Sequence, residues 1–108
     1  MDATIRYQAV SAGEVDVIDA FSTDGLLKKM NLTTLEDDLQ FFPPFYAVNF
    51  LRADVLERYP ELEPVLSKLD GLIDEETMRE MNYRVDVLGE KSADVAHDFL
   101  LSHGLIPQ

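Results

Sequence analysis

The spacing of apolar positions divides this chain into a mixed first half and a helical second half. In "TIRYQAVSAG", residues 4–13, Ile5, Ala9 and Val10 recur on one helical side and Gly13 ends the run. "VDVIDAF", residues 15–21, is short, rich in β-branched residues and bounded by turn chemistry, which predicts a strand. Ser22, Thr23 and Asp24 then read as cap-type residues before one or two helical turns that begin at Gly25. A second strand is expected in "LTTLEDD", residues 32–38, and a third in "FYAVNFL", residues 45–51. Just before the third strand stands "FFPPF", residues 41–45. Proline fixes its own φ and cannot donate to a ladder, so Pro43 and Pro44 predict a stiff extended connector or a sheet-edge segment.

From residue 53 the pattern turns helical. Val55, Leu56 and Tyr59 share one face of a short helix that Pro60 ends. Leu62, Val65, Leu66 and Leu69 follow at i, i+3, i+4 and i+7, an amphipathic stripe closed by Gly71. Asp74 is expected to cap the next helix, with Glu75 and Glu76 at its positive end and Met78 and Met81 facing inward. "YRVDVLG", residues 83–89, alternates and suggests a brief extended piece. Ser92 is expected to cap a last helix carrying Ala93, Ala96, Phe99 and Leu100, which ends through His103, Gly104 and Pro107.

A length of 108 residues bounds this to one domain's worth of chain, and 46% hydrophobic residues are enough for a packed core. The net charge of −12 argues against nucleic acid, whose affinity rests on neutralised phosphates, and against anionic lipid surfaces. It is compatible with a cationic ligand, but acidic surfaces are common for solubility alone, which is the simpler reading. With no cysteine there is no disulfide, thiolate nucleophile or Cys-based zinc site. The first residues show no basic start followed by an apolar run, so no signal peptide is expected, and no window reaches the roughly 18 apolar residues of a membrane span.

Candidate chemistry is sparse. His97 and His103, six apart, do not share a helical face and read as surface residues. Glu36-Asp37-Asp38 and the stretch 70–76 lack the ligand order and central glycine of a calcium loop, so both read as solvated carboxylates. Asp19 and Asp24 are a pair that any acidic protein offers, and no catalytic motif can be assembled, so neither an enzyme nor a cofactor is expected. The aromatics say more. Phe21 ends a predicted strand and is followed by a turn, and in open α/β sheets ligands collect beyond the carboxyl ends of strands. Phe45 follows the double proline, where the chain would cross between layers. Aromatic faces attract quaternary ammonium groups by roughly 0.5–2 kcal/mol per ring. On spacing alone, core packing remains the simpler reading of each phenylalanine.

"GEVDVIDAFSTDG", "LEDDLQFFPPF", "LERYPELEPVLSKLDG" and "MNYRVDVLGEKSADVAHDFL" resemble, in order and in register, the C-terminal part of one family. These are the glycine betaine/carnitine/choline-binding proteins of osmoprotectant ABC importers. The resemblance implies an α/β architecture: part of a two-lobed, type II periplasmic-binding-protein fold whose lobes close on the ligand by hinge bending. It implies that residues 1–38 belong to the second lobe, that 39–44 form the hinge crossing, and that 45–108 complete the first lobe, mainly as helices. It implies a quaternary ammonium ligand, an ABC permease partner and an extracytoplasmic place of work for the whole protein. Phe21 and Phe45 would be walls of the aromatic cage, and Thr23 and Asp24 would shape the cleft edge. The family's motifs usually read D-A-Y-S-T-D and F-F-P-P-Y, so phenylalanine here stands twice where tyrosine is usual. Phenylalanine keeps the π face and loses the hydroxyl. The family's unit has two complete lobes, of which this chain would be a piece, and strands cut from their sheet leave unpaired edges. Self-association, by exchange of elements across 39–44 into a homo-oligomer, is therefore an expectation. The alternative is an autonomous interaction module derived from such a protein that no longer binds the osmolyte.

Overall fold

The computed structural model describes residues 3–43 and 47–107. Its helices are α1 (Ala3–Ser11), α2 (Gly25–Lys29), α3 (Ala53–Arg58), α4 (Leu62–Leu66), α5 (Glu75–Asp86) and α6 (Ser92–Ser102), with a 3-10 turn at Ser67–Leu69 after α4. Among the described residues, none of these is long and apolar enough to cross a membrane. The chain forms two compact units, Met1–Thr34 with Glu75–Gln108, and Leu35–Asp74.

In the first unit α1 ends as Gly13 predicts. The Gly13 amide donates to the Val10 carbonyl and the Glu14 amide to the Ala9 carbonyl, with Gly13 at φ 72°. This pairing satisfies the last orphan carbonyls only if the intervening residue is left-handed, which glycine tolerates. Gly104 closes α6 in the same manner. The face of α1 that packs is only partly the expected one: Ala9 and Val10 are half-buried and Ile5 is half exposed, whereas Tyr7 is 2% exposed and joins Leu27 of α2 and Val95 of α6 as the buried apolar residues. α2 lies against α5, and Gly25 makes the approach possible: a Cβ there would sit 2.7–2.9 Å from backbone atoms of Asn82 and Tyr83.

α5 runs to Asp86, so the extended piece expected at 83–89 is instead the end of a helix and its turn. Half-buried Met78, Met81 and Val85 continue one stripe through it, and the helical period outweighs the local alternation. Arg84 ties α5 to α6 and the loop before it: its guanidinium donates to both oxygens of Glu90, at 2.5–3.1 Å, and to Asp98 at 2.7 Å. These bonds hold the Glu90 carboxyl below its usual range and push the guanidinium up. Ser92 does not cap α6; it is the first helical residue, and Lys91 takes the cap position with extended backbone and no side-chain cap bond.

In the second unit α3 stops at Tyr59 as Pro60 requires. Its Asp54 and Arg58, at i and i+4, are joined at 2.8 Å. The stripe Leu62, Leu66, Leu69 is half-buried, while Val65 is 56% exposed. No described residue of this unit is fully buried.

The strands expected over 15–21, 32–38 and 45–51 are not present among the described residues; Phe45 and Tyr46 lie outside them. The backbone there is irregular or extended, and Val17, Leu35, Val48 and Phe50 are exposed. A strand exists only by its ladder, and β-branched or aromatic residues express their preference only against a partner. Among the described residues the fold is therefore helical, not α/β.

Candidate functional site

The segment 19–24 is where the sequence places its best candidates, and two helices grip it. Its first residue, Asp19, pairs with Arg6 of α1 at 2.5 Å. At its end, the Asp24 amide donates to the Phe21 carbonyl at 3.0 Å, while the Phe21 amide donates to Asp24 Oδ2 at 3.3 Å. That same oxygen accepts the Tyr7 hydroxyl of α1 at 2.8 Å. From the other side, Arg79 Nε of α5 donates to the Ser22 carbonyl at 2.6 Å, and Asn82 Nδ2 donates to the Thr23 carbonyl at 2.8 Å. The turn's carbonyls, which a loop would otherwise leave to water, are thus bound by a helix.

Asp24 sits at the N-cap position of α2, as expected, yet makes no cap bond to that helix. Its carboxylate turns back to Tyr7 and Phe21 instead. Thr23 is half-buried and serves through its carbonyl. Phe21, on this pinned turn, keeps its side chain in the open at 64% exposure. Phe45 lies outside the described residues. Sequence reasoning did not find Tyr7, Arg79 or Asn82. They reach the turn across 17, 57 and 59 residues, and no local pattern marks such contacts.

Burial, reinforced by the Asp24 carboxylate, pushes the Tyr7 phenol well above the ordinary tyrosine value. It therefore stays a neutral donor. Because the folded-state value is raised, the stabilisation is complete below about pH 10, where the unfolded tyrosine still holds its proton. It declines as pH climbs above that. Unfolding free energy measured from about pH 8 to 11 should fall in the upper part of that range, and Tyr7→Phe should flatten the fall.

The other candidates recede. Asp37, from the acidic run, accepts the Phe41 and Phe42 amides at 2.9 and 2.8 Å and so organises its own turn. Among the described residues no three acidic, histidine or cysteine side chains gather as a metal site. His103 is the C-cap of α6, with its ring on Phe99 at 4.2 Å. A cavity of about 280 Å³ in the groove of α2 and α5 is lined by Leu27, Asn31, Arg79 and the ion-paired Lys28 and Glu80, among others. It has no aromatic wall.

Comparison with known proteins gives this turn a context. Residues 1–102 match the model of a family described as the substrate-binding domain of an ABC-type glycine betaine transport system. The ergothioneine transport permease/ergothioneine-binding protein EgtU of Helicobacter pylori is 39% identical over 97% of this chain, which covers 19% of that protein. The carnitine transport binding protein OpuCC of Listeria monocytogenes is 36% identical over 93% of the chain, covering 32% of its own length. The glycine-betaine-binding protein of Pseudomonas aeruginosa is 36% identical over 98%, covering 34%. The crystal structure of a glycine betaine/carnitine/choline ABC transporter superposes with a TM-score of 0.86 at 36% identity, over 97% of this chain and 38% of that one. The chain thus spans about a fifth to a third of the length of these curated relatives. It corresponds to part of a type II periplasmic-binding-protein fold. These are binding proteins rather than enzymes, and this chain belongs to the family of substrate-binding domains of ABC-type glycine betaine transport systems.

Proposed function

We propose that this chain supplies part of the ligand cleft of a solute-binding protein that captures a small quaternary ammonium osmolyte, such as choline, carnitine or glycine betaine. The whole protein works outside the cytoplasm and hands its ligand to an ABC permease. Phe21 is one wall of an aromatic cage and Phe45 another, with Thr23 and Asp24 shaping the edge.

The observation that carries this reading is an exposed ring on a fully tethered turn. The Phe21 side chain is 64% exposed in this chain, and its backbone is held in place by two helices. A ring carried on a fixed backbone leaves less to order when it meets a cation. The ligands in the relatives' names, ergothioneine, carnitine and glycine betaine, share a trimethylammonium group, and the chain's charge of −12 favours a cationic head. The match along nearly the whole chain does not favour the alternative of a derived interaction module.

Titration of the chain with choline, carnitine and glycine betaine, followed by amide-resolved NMR, tests this. Saturable shifts are expected at Phe21, and Phe21→Ala should weaken binding by about 0.5–2 kcal/mol, or roughly 2- to 30-fold. A folded chain whose Phe21→Ala variant binds as well as the parent would remove the ring from the site.

Self-association belongs to the same reading. Leu35, Leu39, Phe41 and Phe50 are each more than 80% exposed, and extended backbone beside them lacks ladder partners. Light scattering at increasing concentration should show a mass above 12.2 kDa; a monomer throughout would refute it.

A further inference from the structure

We infer that Tyr7 is a positioning residue for the Phe21 ring, acting through the Asp24 carboxylate. The functional consequence rests on the proposed cation-binding role of Phe21. Tyr7 is 2% exposed, so it cannot itself line a cleft. Its hydroxyl is spent on one carboxylate oxygen, Asp24 Oδ2, and that oxygen also receives the Phe21 amide. Asp24 returns a bond from its own amide to the Phe21 carbonyl. The backbone of Phe21 is therefore clamped at both its amide and its carbonyl by a residue whose side chain is anchored to α1. Arg79 and Asn82 hold the two carbonyls that follow, from α5.

The chemistry suits a fixed rather than an adaptable joint. A hydrogen bond to an ionised acceptor is stronger than one between neutral groups, and a buried phenol that stays protonated offers Asp24 its donor throughout the neutral range. A backbone already fixed where it carries the ring saves the ordering cost that a free loop would meet on binding. A tyrosine that only fills the core needs some acceptor for its buried hydroxyl; what sets Tyr7 apart is that its acceptor oxygen also holds the Phe21 amide.

Three variants separate the accounts: Tyr7→Phe keeps the ring and removes the donor, Asp24→Ala removes the acceptor, and Asp24→Asn keeps an acceptor oxygen. The amide order parameter of Phe21 is measured in each by NMR relaxation, with α6 as internal reference, and choline is titrated into each. In the parent chain Phe21 should be as ordered as the helices. In Tyr7→Phe and Asp24→Ala its order should fall while α6 keeps its own, and the choline dissociation constant should rise roughly tenfold, as loss of a charge-assisted bond implies. Asp24→Asn, which keeps an acceptor oxygen without its charge, should restore part of both. A Phe21 that is as ordered in Tyr7→Phe as in the parent overturns the inference. So does a parent turn that is already mobile, with an order parameter below about 0.6, a result that needs no variant to fold. If the parent chain binds no choline, the cage reading falls, and the order parameters alone decide whether Tyr7 positions the ring.

Discussion

Replacing Gly25 by alanine should destabilise the first unit by about 1–2 kcal/mol, although alanine is the better helix former. The two effects oppose each other and their sizes decide. In a helix interior alanine is favoured over glycine by about 1 kcal/mol, an upper bound for Gly25, the first residue of α2. Against this, the new methyl would stand 2.7 Å from the Tyr83 nitrogen, 2.8 Å from its Cα and 2.9 Å from the Asn82 carbonyl carbon. Carbon atoms rest at about 3.5–4.0 Å, so α2 and α5 must part by roughly 1 Å. The obstructing atoms are backbone and cannot rotate away. Overpacking commonly costs about 1–3 kcal/mol and sometimes more, and here there is no flexible neighbour to absorb it. α2 is five residues long and cannot persist undocked. Its displacement would also uncover Leu27, one of the buried apolar residues. Urea unfolding followed by circular dichroism measures the loss. A variant as stable as the parent would mean that α2 and α5 do not approach this closely. Because α2 begins directly after Asp24, the same variant should disturb the Phe21 turn.

The sequence discloses those features whose cause is local. Gly13 and Gly104 end helices by a backbone conformation that needs only neighbouring carbonyls, and both lie where the pattern puts them. Pro60 stops α3 for an equally local reason. The ordered blocks around "DAFSTDG" and "FFPPF" reveal the family, since register across many residues outlasts single changes such as phenylalanine for tyrosine. Features with distant causes stay hidden. The strands expected at 15–21 and 32–38 carry β-forming residues that call for partners, and no described part of the chain supplies a ladder. Asp24 reads as a helix cap because it precedes a helix, yet the tyrosine 17 residues away claims its carboxylate. The grip of Arg79 and Asn82 on the turn needs the packing of α5 near α2, which follows from a glycine 54 and 57 residues before them.

Tyr7→Ala should be the most damaging change at any described side chain, costing about 3–5 kcal/mol, because fold and site meet in that one residue. Truncating a buried aromatic ring removes its transfer energy and leaves a cavity that a unit with so few buried apolar residues cannot easily refill. The hydroxyl adds a second loss, since Asp24 Oδ2 forfeits a donor at 2.8 Å and the Phe21 turn forfeits its anchor to α1. Tyr7→Phe divides the two. It retains the ring and should cost only about 1.5–3 kcal/mol, the range for a hydrogen bond to a charged group. The difference between the variants, measured as unfolding free energy at neutral pH, is then the worth of the packed ring. If the two variants lose equally, the ring contributes nothing beyond its hydroxyl, and Tyr7 is a tether rather than core. If Tyr7→Phe loses nothing, the bond to Asp24 is replaceable by water and the ring is all that matters. Only a graded result, with alanine several kcal/mol below phenylalanine and phenylalanine below the parent, fits a residue that fills the first unit and steadies its exposed Phe21 at once.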